Sequence, residues 1–190
     1  MANPPFAGDI KESRILAKYE LGKKPNGKAQ TKVGRDILFI ERNLDFLKDG
    51  GRMAIVLPQG RFNNSSDKAI REFIAERCRI LAVVGLHGNV FKPHTGTKTS
   101  VLFVQKWHDE LCPKVEDYPI FFATMQEPSK DNSGDKIFVR NEDGSPLLDS
   151  HGHLIVKHDL FNHDGKTQDG IAEAFLEFAK KEKLSFAGKP

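Results

Sequence analysis

Between Gly34 and Gly51 the apolar residues Ile37, Ile40, Leu44 and Leu47 recur at helical spacing, and the pair Gly50-Gly51 supplies a C-terminal stop. The run that follows, RMAIVLP (52–58), is short, continuous and closed by proline, the pattern of a strand buried on both faces. Asn63 to Asp67 brings helix-capping side chains, and DKAIREFIAERC (67–78) places Ile70, Phe73 and Ile74 on one helical face. RILAVVGL (79–86) and SVLFVQKW (100–107) read as two further strands, joined by the polar loop HGNVFKPHTGTKT (87–99). That loop is too short for a helical crossover, so the two strands are expected to be antiparallel neighbours. Helix, strand, helix, strand, loop, strand is the alternation of an α/β sheet.

The flanks are less regular. KESRILAKYELGKKPNGKAQTK (11–32) is a mixed segment whose second half, with Gly22, Pro25, Asn26, Gly27 and several lysines, reads as a flexible loop. After about residue 110 the pattern changes. YPIFFATM (118–125) suggests a strand, and 135–160 a hairpin-rich region with an Asp143-Gly144 turn. TQDGIAEAFLEFAKKEKL (167–184) suggests a helix with Ile171, Phe175 and Phe178 on one face and lysines at its end. No internal repeat is evident. The division expected is a catalytic-type α/β part at 1–110 and an extension at 111–190.

Composition narrows the function classes. A hydrophobic fraction of 38% with 14 Phe suffices for a core, and a net charge of +3 permits an anionic partner without requiring one. Cys78 and Cys112 fit no metal or disulfide framework and are expected to be reduced thiols of a cytoplasmic protein. No apolar run reaches the length of a membrane span.

The densest chemistry sits at the start, in Asn3-Pro4-Pro5-Phe6. Each proline fixes its own φ and pushes the preceding residue into extended backbone, so carbonyl directions are set in advance. The Asn3 side-chain oxygen and the Pro4 carbonyl are two acceptors, and Phe6 is a flat face for stacking. A planar exocyclic amine matches all three. Its nitrogen is a poor nucleophile because the lone pair is delocalised. Two acceptors placed for a more tetrahedral nitrogen aim that pair at an electrophile.

Other candidates are weaker. Lys23, Lys24, Lys28 and Lys32 suit phosphate contact and equally suit a solvated loop. Phe91, Lys92, His94, Thr95, Thr97 and Lys98 share a glycine-broken loop that suits either ligand contact or solvent. His151 and His153, on one strand face, with His158, His163, Asp159 and Asp164, match no standard zinc spacing and are expected to be polar residues around a hairpin, with no metal.

ANPPF (2–6), GGRMAIVLPQGRF (50–62) and RCRILAVVGLHGNVFKPHTGTKTSVLFVQK (77–106) occur in the order and spacing of modification (M) subunits of type I restriction–modification systems. The chain thus resembles the N6-adenine DNA methyltransferase family. HGHLIVKHDLF and DGIAEAFLEFAKK resemble sequences that follow the catalytic region there. The resemblance implies the C-terminal half of a doubly wound, Rossmann-like sheet, with MAIVLP as strand five and the next two strands as six and seven.

It makes Asn3 and Pro4 the ligands of the target amino group and Phe6 the stacking partner of a flipped adenine. Phe91 becomes a second stacking candidate near the base, and Lys92, Lys98, Lys23 and Lys24 become DNA-contact candidates. The methyl donor implied is S-adenosylmethionine, and the partners implied are DNA, a specificity (S) subunit and a restriction (R) subunit.

The family's glycine-rich cofactor loop and ribose-binding acid precede NPPF and are not found in this sequence, and GLHGN (85–89) has neither their position nor their spacing. The expectation is a fragment inactive alone. Its MAIVLP strand would have an apolar edge needing an N-terminal methyltransferase half or a second copy. Two alternatives stand beside it: a non-catalytic assembly or DNA-contacting module, and a protein-glutamine N5-methyltransferase, whose substrate amide poses the same lone-pair problem.

Overall fold

A computed structural model describes residues 1–167 and 170–186, which form two compact units. The first comprises Met1–Val83 and Ser100–Ile120, the second Val84–Thr99 and the chain from Phe121 onward.

In the first unit, β1 (Asp9–Ile10) pairs antiparallel with β2 (Val33–Gly34), flanking a one-turn helix α1 (Ser13–Leu16). Helix α2 (Arg35–Phe46) follows, then β3 (Arg52–Pro58). Next come a helical turn α3 (Gly60–Asn63), a 3-10 turn (Ser65–Asp67), α4 (Lys68–Arg77) and β4 (Cys78–Gly85). Strand β5 (Thr99–Lys106) inserts between β3 and β4. It runs antiparallel to both: Trp107 N–H donates to Arg77 O at 3.0 Å on the β4 side, and Lys106 N–H to Gly51 O at 2.8 Å on the β3 side. The core lies on one face of this sheet. Met53, Ile55 and Leu57, every second residue of β3, meet Ile40 and Leu44 of α2 and Ile70, Phe73 and Ile74 of α4.

Helix α2 stops at Phe46, ahead of the two glycines, with Gly50 at φ 70° making the turn into β3. The excursion between β1 and β2 is folded rather than flexible. Lys24 N–H donates to Lys28 O at 2.8 Å and Gly27 takes φ 78°, so Pro25-Asn26-Gly27 closes a small hairpin. Buried Glu41 fastens this segment to α2 by accepting the N–H groups of Glu20 and Leu21, both at 2.8 Å. A second apolar cluster of Leu16, Val33 and Leu38 lies beneath it.

Burial pushes the Cys78 thiol up to about 12 and raises that of Cys112, so both are inert free thiols. Among the described residues no helix is long and apolar enough to cross a membrane.

In the second unit, β6 (Phe121–Thr124) leads to Met125, whose N–H donates to Gly85 O at 2.8 Å. Phe121 lies 5.5 and 5.6 Å from the rings of Phe175 and Phe178 on α5 (Ile171–Lys181). The helix expected from sequence begins earlier. Thr167 is non-helical, and Gln168 and Asp169 lie outside the described residues.

Between them stand three tandem hairpins, where the sequence suggests one defined turn and no repeat. The bridges Lys130↔Lys136, Arg140↔Pro146 and Leu148↔Leu154 close turns with Gly134, Gly144 and Gly152 at φ 98°, 82° and 81°. In each, the glycine N–H donates to the carbonyl of the Asx three residues earlier: Asp131, Asn141 or Asp149. The second and third hairpins are joined in a closed ring: Val139 N–H donates to Ile155 O, Ile155 N–H to Leu147 O, and Leu147 N–H to Val139 O, while the first is fastened by Lys157 N–H donating to Ile137 O at 2.8 Å. Asx, Gly and the apolar pairs Ile137-Phe138, Leu147-Leu148 and Ile155-Val156 recur at uneven spacing, so the repetition has no fixed period in the sequence.

The turn that follows β3 is locked by charge. Arg61 clasps Asp36 of α2 with two hydrogen bonds, Nε to Oδ2 at 2.7 Å and Nη2 to Oδ1 at 3.1 Å, while Nη1 reaches Asp67 Oδ2 at 3.0 Å. Asp67 therefore precedes α4 without capping it by its side chain. Burial opposes the Arg61 charge, but the two carboxylates outweigh it and its pKa is raised. Arg71 holds the same turn by donating to Arg61 O and Asn64 O. Because the Asp36 side chain is only 2% exposed, Arg61→Met should cost roughly 3 kcal/mol in urea unfolding by leaving a carboxylate buried and unpaired. Arg61→Lys should recover only part of it, since an ammonium cannot form the two-pronged contact.

Candidate functional site

Asn3–Phe6 is positioned by the residue before it. Ala2 pairs in parallel with Ile55 of β3, its N–H donating to Ala54 O at 2.8 Å and its carbonyl accepting Val56 N–H at 3.0 Å. Strand β3 ends the sheet order on that side, and among the described residues Ala2 is what covers its outer edge. Because the pair is parallel, Asn3 to Phe6 leave it at the carboxyl end of β3, where open α/β sheets place ligands. Pro4 is buried, Asn3 and Pro5 are exposed, and Phe6 is half-buried. The chain then turns through Gly8, at φ 97°, whose carbonyl accepts Arg35 N–H at 3.0 Å at the start of α2. The tetrapeptide is thus held on one side by β3 and on the other by α2.

Lys23 and Lys24 flank the small hairpin and line an open groove of about 720 Å³, to which Lys32 and Arg61 also contribute. Its wall is not uniformly basic. Glu20, Asp67, Glu72 and Glu76 line it too, and Lys32 Nζ lies 3.5 Å from Asp9. None of Asn3, Pro4, Pro5 or Phe6 lines this groove.

In the second unit the 87–98 loop is built rather than loose. Val90 N–H donates to His87 O, Lys92 N–H to Asn89 O and Thr95 N–H to Phe91 O. The first hairpin clamps it. Asn89 Nδ2 donates to Lys130 O at 3.0 Å, Lys130 Nζ to Lys92 O at 2.8 Å, and Lys92 Nζ to Asn132 Oδ1 at 3.3 Å. A Cβ at Gly134 would meet the Pro93 ring at 2.6 Å, so glycine is required there by contact as well as by φ. Phe91 and Lys92 are half-buried, and His94, Thr97 and Lys98 exposed. The clamp and its residues 130–134 are not legible in the sequence as support for this loop.

The histidines divide into two groups. His151 and His153 sit at the third hairpin turn rather than along a strand face, with Asp149 Oδ1 accepting both backbone N–H groups. His158 and His163 face each other, Nε2 to Nε2 at 3.0 Å, and burial with the neighbouring His163 lowers the His158 pKa. Among the described residues no group of three or more His, Cys, Asp or Glu is arranged to hold a metal ion.

The GLHGN segment does not fit the phosphate-loop-like cradle that S-adenosylmethionine would need. In the GLHGN segment Leu86 N–H is taken by Thr99 O and Asn89 N–H by His87 Nδ1, so it offers no row of successive amides.

Residues 1–180 match the model of the N-6 DNA methylase family. Over 107 residues the chain is 35% identical to the Type I restriction enzyme EcoEI methylase subunit of Escherichia coli, covering 56% of this chain and 20% of that protein. It therefore spans about a fifth of that relative's length. The fold is similar to a candidate class I S-adenosylmethionine-dependent methyltransferase from Listeria monocytogenes, with a TM-score of 0.51 at 21% identity over 62% of this chain and 33% of that one. It is similar, too, to a chain from a structure describing complex assembly and conformational transition of the type I restriction–modification system, with a TM-score of 0.51 at 20% identity over 71% and 26%. With the family model matched from Met1 to Lys180 on an α/β framework of this kind, the chain belongs to the N-6 DNA methylase family.

Proposed function

We propose that the chain is the catalytic and C-terminal part of a DNA methyltransferase subunit that modifies the N6 amino group of adenine in a type I restriction–modification system. The observation that carries this reading is the emergence of Asn3–Phe6 at the carboxyl end of β3, fixed by Ala2 and by Arg35. In this role Asn3 Oδ1 and the Pro4 carbonyl accept the two amino hydrogens, Phe6 stacks on the base turned out of the duplex, and Pro5 stiffens the exit. The amino nitrogen is held with its lone pair directed away from the ring plane, so no strong base is needed. The methyl group is supplied by S-adenosylmethionine, in keeping with the family.

DNA is proposed to contact Lys23 and Lys24 in the first unit and Phe91, Lys92 and Lys98 in the second. The lysines contribute a salt-dependent term rather than sequence reading. S and R subunits are the proposed partners, in the cytoplasm, and a further methyltransferase segment or a second copy is proposed to pair along β3 beyond Ala2. We propose also that the 190 residues alone do not methylate, because no cofactor cradle is found among them.

Two measurements test this. In the chain complemented with a cofactor-binding methyltransferase segment, Asn3→Ala should lower the methylation rate by about 10²–10³-fold, as removal of one preorganised hydrogen-bonding group does. Unchanged adenine methylation would remove Asn3 from the site. Calorimetric titration of S-adenosylmethionine into the purified chain should give no binding isotherm, whereas saturable binding would overturn the proposal that the chain is inactive by itself.

A further inference from the structure

The parallel pairing of Ala2 with Ile55 fixes what lies opposite Pro4. Ala2 donates to residue 54 and accepts from residue 56. Continued by the same register, the next ladder residue is Pro4, which would donate to Val56 O and accept from the N–H of residue 58. Pro4 has no N–H to give, and residue 58 is also proline. The ladder therefore ends after Ala2 from both directions, and the Pro4 carbonyl, although Pro4 is buried, is left without the strand donor that register would bring to it.

We infer that Pro58 is a positioning residue: by withholding a backbone donor at the end of β3 it keeps the Pro4 carbonyl available to a substrate amino group. This rests on the proposed role of Pro4 and extends it to a residue on another strand. A single proline at position 4 removes only the donor on its own strand. The second, at 58, is what prevents the ladder from capturing the acceptor. The closing proline of MAIVLP thus acts as more than a strand terminator.

The test restores the missing donor. In the full chain carrying Pro58→Ala, the backbone amide gained at position 58 should be protected from hydrogen exchange, and the Pro4 carbonyl carbon should shift on gaining a hydrogen bond. In the complemented methyltransferase the same variant should lose on the order of tenfold in kcat, about one hydrogen bond's worth, with KM for DNA unchanged. N-methylalanine at position 58, introduced by semisynthesis, lacks both the donor and the ring and should restore kcat. Free exchange of the amide gained at position 58, or a kcat unaffected despite its protection, would overturn the inference. A role for Pro58 in folding alone would lower stability for both replacements and leave kcat of the folded enzyme intact, which also overturns it. Asn3→Ala separates the two levels: if it leaves methylation intact, the proposed site itself fails, whatever Pro58 does.

Discussion

Two backbone hydrogen bonds between Ala2 and β3 determine where the chain's most reactive-looking residues stand. They convert an N-terminal segment that could point anywhere into a continuation of the sheet, and they set Asn3–Phe6 at the carboxyl end of β3. The rest of the first unit reinforces that placement. β1 pairs with β2, β2 runs directly into α2, and Asp36 on α2 is clasped by Arg61 from the turn that β3 enters. Both ends of the tetrapeptide are therefore tied, through short paths, to the same helix and the same strand. The Arg61 clasp is costly to break because its partner is buried, and this is what makes the β3–α3 turn a fixed wall.

The second unit applies the same economy to a different loop. Residues 87–98 could have been a solvated connection. Instead their carbonyls and side chains are held by Lys130, Asn132 and the close approach of Gly134. The hairpin that holds them is itself fastened through Ile137, whose N–H donates to Ser129 O at 3.0 Å and whose carbonyl accepts Lys157 N–H at 2.8 Å. Lys92, a DNA-contact candidate from sequence, reaches Asn132 here, which leaves Lys98 as the exposed cation of the loop's end.

Strands β3, β4 and β5 and helices α2 and α4 can be read from sequence because their apolar residues follow a period that burial enforces. Ile70, Phe73 and Ile74 face the core as their spacing requires. The polar supports cannot be read this way. Asp36, Glu41 and Arg61 look like surface charges, and their pairing with residues 20 or more positions away leaves no periodic trace. The Lys24–Lys28 hairpin reads as a flexible loop when its Asn-Gly turn is counted only as a breaker. The chemistry proposed for Asn3–Phe6 draws on four contiguous residues, whereas the role proposed for Pro58 emerges only once the register of Ala2 is known.

The most direct measurement is hydrogen exchange of the Val56 amide in the purified chain. Val56 N–H points away from β5, so among the described residues its hydrogen-bond protection comes from the Ala2 carbonyl at 3.0 Å. Slow exchange, comparable with Ile55 and Leu57 on the β5 side, is the predicted result. Exchange at the unprotected rate, with Ile55 and Leu57 still protected, would mean that Ala2 does not pair with β3 in solution and that the sheet does not hold Asn3–Phe6.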